Sequence, residues 1–205
     1  AIYWPAEGSL TIEGSAAIEG DTGIEARMGT ITIEGGTISG MGEPIEGLPT
    51  GGGACVEGSA LLVCSQMYDK CVTSPNLDVV ITDGLFSSVN GHAVTVQNMK
   101  KNEVPASLVI SGGEFVANGA EALGEKAANE DKADVTTIAI SGGLFSSEVA
   151  EKNCAEGFIP VFIYEGVYGV ANIYSFAGTV SAYGDGKVNR NVAVFDGDAT
   201  LEFVE

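Results

Sequence analysis

One short phrase recurs along this chain and limits what it can fold into. Residues 108–115 read LVISGGEF and residues 138–145 read IAISGGLF. Earlier copies are ITIEGGTI at 31–38 and VVITDGLF at 79–86, and a degraded copy, LTIEG, stands at 10–14. In each copy apolar residues alternate with Ser, Thr, Glu, Val or Ala, the period of a strand with one buried face. Glycine breaks the strand after about four residues, and a further apolar residue follows. A lone hairpin of such strands is marginal in water, so each copy needs neighbours.

The central isoleucine of the phrase falls at Ile12, Ile33, Ile81, Ile110 and Ile140. The steps are 21, 48, 29 and 30 residues, and the step of 48 reads as two turns of the shorter kind. Periods of roughly 20–50 residues belong to solenoids and propellers. A propeller blade takes about four strands in roughly 40–50 residues, more than most of these units hold. The chain has 29 glycines, many at the corners of the pattern, where glycine reaches positive φ without steric cost. Strand, corner and strand stacked turn on turn make a parallel β-helix, an all-β solenoid with Ile, Val, Leu and Phe in interior columns and Thr, Ser and Glu facing water.

Residues 21–40, DTGIEARMGTITIEGGTISG, resemble the repeats of secreted or cell-surface right-handed parallel β-helix proteins of anaerobic gut bacteria. Residues 140–149, ISGGLFSSEV, followed by CAEGF at 154–158, resemble the last turn and cap of the same group. The likeness spans roughly residues 1–170. It implies a right-handed coil and an extracellular setting, and it transfers no catalytic residue.

The length of 205 residues suits one domain with a small addition: turns over 1–157, then a β-strand cap or appended β-module over 158–205. The tail reads as strands at 158–164, 167–170, 179–183, 192–195 and 201–203, with turns at 165–166, 185–186 and 196–198. A solenoid needs its last turn covered, and exposed strand edges there offer a route to a homo-oligomer. Upstream, 43–53 and 65–76 read as loops, and 54–56 and 60–64 as strands of one turn. Residues 93–96 read as the partner strand of the 79–86 turn. Residues 98–105 are a polar excursion holding Lys100 and Lys101. Residues 120–134, rich in Ala, Glu and Lys, read as a short exposed helix or a mobile loop, with Gly124 weakening the helix.

Nine basic against 28 acidic residues give a net charge of -19. Such a field repels nucleic acid and anionic lipid. Residues 1–60 hold nine carboxylates and a single basic residue, Arg27. They read as a solvated surface that resists edge-to-edge association. No stretch approaches the roughly 20 apolar residues that span a bilayer. The chain opens in mid-pattern at Ala1, the look of a mature or excised piece.

Cys64 and Cys71 flank a short loop and form a candidate disulfide in an oxidising compartment, while Cys55 and Cys154 stand apart. With no CxxC and one histidine, His92, no zinc site and no cofactor is expected. Tyr3 and Trp4 are candidate ligand-facing residues. An aromatic face suits the apolar face of a sugar, and the alternative is that they cover the open end of the coil. Polygalacturonase-like hydrolysis wants converging carboxylates with a histidine and a basic pair. The chain offers His92 and a distant Arg190 but no Asp-Asp pair. Glu13 and Glu34 share a phrase position and read as water-facing.

Three readings result. The first is a non-catalytic, secreted or cell-surface spacer or adhesin that presents a flank to a glycan or protein. The second is a self-assembling subunit of a filament, or of a phage fibre or decoration, located on a virion. The third is a polysaccharide lyase or hydrolase.

Overall fold

The computed structural model describes residues 1–47, 56–65, 76–99, 104–132 and 135–172, together with the backbone of four short strands beyond them. The fold is all-β, with mostly parallel sheets, in an elongated repeat arrangement. Among the described residues the only helical elements are 3-10 turns, at Glu130–Lys132 and Glu151–Asn153.

Strands come in successive passes. The first holds β1 (Ile2–Trp4), β2 (Ser9–Ile12) and β3 (Ala17–Gly20). The second holds β4 (Ile24–Ala26) and β5 (Gly29–Gly40), which runs unbroken through the glycine kink. The third holds β6 (Leu61–Cys64) and β7 (Leu77–Ser88). The fourth holds β8 (Val94–Asn98), β9 (Ala106–Ile110) and β10 (Glu114–Ala117). The fifth holds β11 (Leu123–Ala127), β12 (Thr136–Ile140) and β13 (Leu144–Phe145). The hairpin β14 (Phe158–Tyr164) and β15 (Val167–Asn172) follows. The tail strands are β16 (Tyr174–Ser175), β17 (Thr179–Tyr183), β18 (Phe195–Asp196) and β19 (Thr200–Val204).

The first strand of each pass joins one parallel five-stranded sheet, β1-β4-β6-β8-β11. The remaining strands of the five passes and the hairpin form a ten-stranded sheet. The copies of the phrase lie side by side in it. Ile12 pairs with Ile33, Ile33 with Ile81, Ile81 with Ile110, and Ile110 with Ile140. The last four are fully buried and Ile12 is 7% exposed. Register is strict because a slip of one residue would turn every isoleucine to solvent.

A second column runs Ile38, Phe86, Phe115 and Phe145. The rings of Phe86, Phe115 and Phe145 stack with centroids 4.8 Å apart, the spacing of adjacent strands. Each such side chain contributes about 1.5–3 kcal/mol by burial. The corner beside this column needs glycine. A Cβ on Gly112 would lie 2.2 Å from the Thr82 carbonyl oxygen, and one on Gly142 2.3 Å from that of Ser111.

Four expectations change. Because Ile33 pairs directly with Ile81, the step of 48 is one pass and not two. The surplus falls in the β5–β6 and β6–β7 connections, where added length costs little closure entropy. The expected helix within 120–134 gives way to β11, which pairs along its length with β8. Parallel pairing outweighs helix propensity there, and residues 133–134 lie outside the description. The strand read at 93–96 is β8, in the five-stranded sheet rather than against β7. Val56 is exposed and outside any strand, while Ala54 and Cys55 lie outside the described residues.

After the fifth pass the direction reverses. β15 pairs antiparallel with β13 and with β14, so the hairpin ends the ten-stranded sheet. Parallel pairing then resumes between β16 and β18 and between β17 and β19.

Candidate functional site

The two faces of the five-stranded sheet differ in chemistry. Leu61 and Val63 point into the main core, whereas Leu62 and Cys64 form a second small cluster with Met99 on the other side. That outer side also carries charge. Glu25 of β4 and Arg27, just past the end of that strand, lie two residues apart and meet on this side. Arg27 donates through Nε to Glu25 Oε1 at 2.5 Å, with the two side chains 0% and 3% exposed. The Arg27 guanidinium carbon lies 6.0 Å from the centre of the Tyr3 ring.

Further along, the buried Glu57 accepts from Lys126 Nζ at 2.5 Å and from the Gln97 amide, and its backbone N–H donates to Thr22 Oγ1 at 2.9 Å. Lys126 also donates to the Ile45 carbonyl at 3.3 Å. Two stretches of the β5–β6 connection, at Ile45 and at Glu57, are thus tied to Lys126 of β11. Gln97 Oε1 is buried with no hydrogen-bond partner. Burying charge is tolerable only when it is paired, and these pairs supply that. They correct the expectation that all acids of residues 1–60 are solvated, since Glu25 and Glu57 are not.

A trough of about 770 Å³ follows the glycine corner of the ten-stranded sheet, from Gly14 to Gly143. Its floor is glycine backbone. Glu34, Asp83 and Glu114 stand along it, with Leu85 and Leu144 as exposed apolar walls. Asp83 Oδ1 accepts the Gly84 N–H at 2.8 Å. Among the described residues no group of three or more His, Cys, Asp or Glu side chains could hold a metal. Glu114 and Leu144 also border a hollow of about 240 Å³ that is closed by Tyr164 and Val167 of the hairpin. The trough offers carboxylate and carbonyl acceptors beside apolar patches.

Tyr3 sits on the outer face at 37% exposure. Trp4 is half-buried against the core, its Nε1 buried without a partner. Cys64 is buried in β6, and Cys71 lies outside the described residues, as do Cys55, Lys100, Lys101 and Arg190. His92 is half-buried, its Nδ1 2.8 Å from the Glu121 carbonyl oxygen and its ring laid over Gly124. A Cβ on Gly124 would come within 2.2 Å of that ring, so this glycine makes room for an imidazole. Glu13 and Glu34 are exposed. Cys154 is half-buried, and burial, then the charge of Glu151, pushes its thiol pKa up.

Sequence reasoning did not single out Glu57, Gln97 and Lys126, which are far apart in the chain and meet only when three passes are in register. The Glu25-x-Arg27 spacing was the one local signal. No family model matches the chain, and neither a curated protein nor a solved structure does.

Proposed function

We propose that the chain is a right-handed parallel β-helix module that acts without catalysis outside the cell, as a spacer or adhesin. The observation that carries this reading is the phrase register. Four successive pairings of its isoleucines lay one flank and one long trough across the five passes. Parallel strands of one sheet joined by a crossover are right-handed in about 98% of cases, which supports the hand. The hairpin β14–β15 reverses direction at the end of the ten-stranded sheet, which supports its role as a cap. A rigid flank that repeats every 4.7–4.9 Å suits a linear ligand such as a glycan or an extended protein segment.

The test pairs a glycan array and a surface-protein pull-down with polysaccharide turnover, for the native chain and for a Glu114→Lys, Leu144→Ala variant. The reading expects retention of a glycan or protein by the native chain, loss in the variant, and no turnover. Release of sugar fragments that stops on His92→Ala would replace it with an enzyme.

A further inference from the structure

Gln97 of β8 and Lys126 of β11 are register partners on neighbouring strands. Strands paired in this way lie about 4.7–4.9 Å apart, a gap that the four methylenes of a lysine span. Glu57 stands between the two side-chain heads. Its Oε2 accepts from Lys126 Nζ at 2.5 Å, and its Oε1 accepts from Gln97 Nε2. One carboxylate thus holds an amine and a carboxamide, the two reactants of an amide exchange.

The carboxylate is fixed from behind. The Glu57 N–H donates to Thr22 Oγ1 at 2.9 Å, and its carbonyl oxygen accepts from Ser59 Oγ at 3.4 Å. Gln97 is fully buried, the Glu57 side chain is 1% exposed and that of Lys126 is 24% exposed. Water is therefore kept from the amide, and hydrolysis does not compete with the amine. Gln97 Oε1 has no hydrogen-bond partner among the described residues, so Glu57 alone orients this amide.

The same trio of groups occurs once at the surface. Glu125 accepts from Lys152 Nζ at 2.8 Å and from Asn153 Nδ2 at 2.7 Å. There the lysine side chain is 58% exposed and its ammonium is solvated. That trio is the natural control for the buried one.

We infer that Lys126 and Gln97 join in an intramolecular isopeptide bond, with Glu57 as the acid–base group. Lys126 Nζ gives a proton to Glu57 Oε2 and bonds to Gln97 Cδ. It then gives up a second proton, and the bond from Cδ to Nε2 breaks. One of the two protons passes through Glu57 to Nε2, which leaves as ammonia, and the other stays on Glu57. A buried pair of charges becomes a neutral amide beside a neutral carboxylic acid, which removes the cost of holding two ions away from water. The step needs a positioned proton carrier and reactants held together, and the carboxylate and the strand register supply both. The bond ties the fourth pass to the fifth.

The experiment weighs the intact, folded chain by mass spectrometry and then maps its peptides. The expected mass is below that of the sequence by one ammonia, with one branched peptide joining Gln97 to Lys126. Asn90 followed by Gly91 can lose ammonia as a succinimide, so the branched peptide decides. Lys126→Arg keeps the positive charge beside Glu57 but lacks the primary amine. Gln97→Met keeps the shape but lacks the amide. Both should return the full mass with circular dichroism unchanged, and either one suffices if the other fails to fold. Glu57→Gln should abolish the bond, and Glu125→Gln should leave it intact. A folded native chain that stays at full mass after prolonged incubation at neutral pH overturns the inference. So does a loss of ammonia without the branched peptide, or a bond that forms as fast in folded Glu57→Gln as in the native chain.

Discussion

The two sheets of this protein are built from the same passes of chain yet follow different rules. In the ten-stranded sheet, β7 and β9 alternate between buried and half-exposed residues, as expected of a face that meets water. In the five-stranded sheet, β4, β6 and β8 are buried at every position. The first sheet tolerates Thr32 and Glu34 on its outside because water solvates them. The second holds Glu25, Arg27, Gln97 and Thr95 away from water, so each must find a partner in the protein. A polar side chain on one sheet is thus nearly free to change, and on the other it is structural.

The largest expected effect comes from cutting the buried pair. Arg27→Ala removes the cation paired with the buried Glu25 carboxylate, and should lower unfolding stability by about 3–5 kcal/mol in denaturant melts. Joint replacement by Glu25→Leu and Arg27→Met should recover most of that loss. Thr32→Ala on the other sheet should stay within about 0.5 kcal/mol. Equal losses at Arg27 and Thr32 would erase the distinction between the sheets.

Next comes the position of a side chain along a column. Ile81→Ala, in the middle, should cost about 2–5 kcal/mol. Ile12→Ala, at the less covered first pass, should cost less, because water already reaches its site. Reversal of that order would place the weak end elsewhere.

Gly124→Ala should cost about 1–3 kcal/mol by overpacking against His92. In a His92→Ala background the same change should cost much less, a coupling that a double-mutant cycle reads directly.

The smallest effect concerns Cys154, whose pKa is raised first by burial and then by Glu151. A raised pKa leaves less thiolate below it, so alkylation at pH 8 should be slower than for an unfolded peptide. Glu151→Gln lowers the pKa again and should speed the reaction modestly. No change would leave burial as the whole cause.

The phrase was legible because its isoleucines sit on a half-buried sheet, where alternation and register are enforced by water on one side. The pairings of Ile12 with Ile33, Ile81 with Ile110 and Ile110 with Ile140 follow the order read from the sequence, while Ile33 pairs with Ile81 directly and not through an intervening pass. What failed to show was pass length. Nothing in the phrase says how many residues leave the sheet between copies, so 48 residues read as two passes. The five-stranded sheet was harder still. Leu61–Cys64 carries no alternation because both its faces are covered. The burial of Glu25 and Glu57 depends on contacts with residues far away in sequence, such as Lys126. Gly124 read as a flaw in a helix, and its reason is the ring of His92 beside it.

The central claim is that residues 33 and 81 are neighbours on adjacent passes, and the most direct check is a cross-link on the same pair of strands. Ser39 and Ser87 are register partners whose Oγ atoms lie 2.8 Å apart. Adjacent strands lie close to the range of Cα separations that a disulfide spans. In a background with the native cysteines replaced by alanine, Ser39→Cys with Ser87→Cys should oxidise to an intramolecular disulfide under mild conditions, seen as one peptide joining the two sites. If the two thiols remain unlinked in the folded monomer, another pass lies between them and the register described here is wrong.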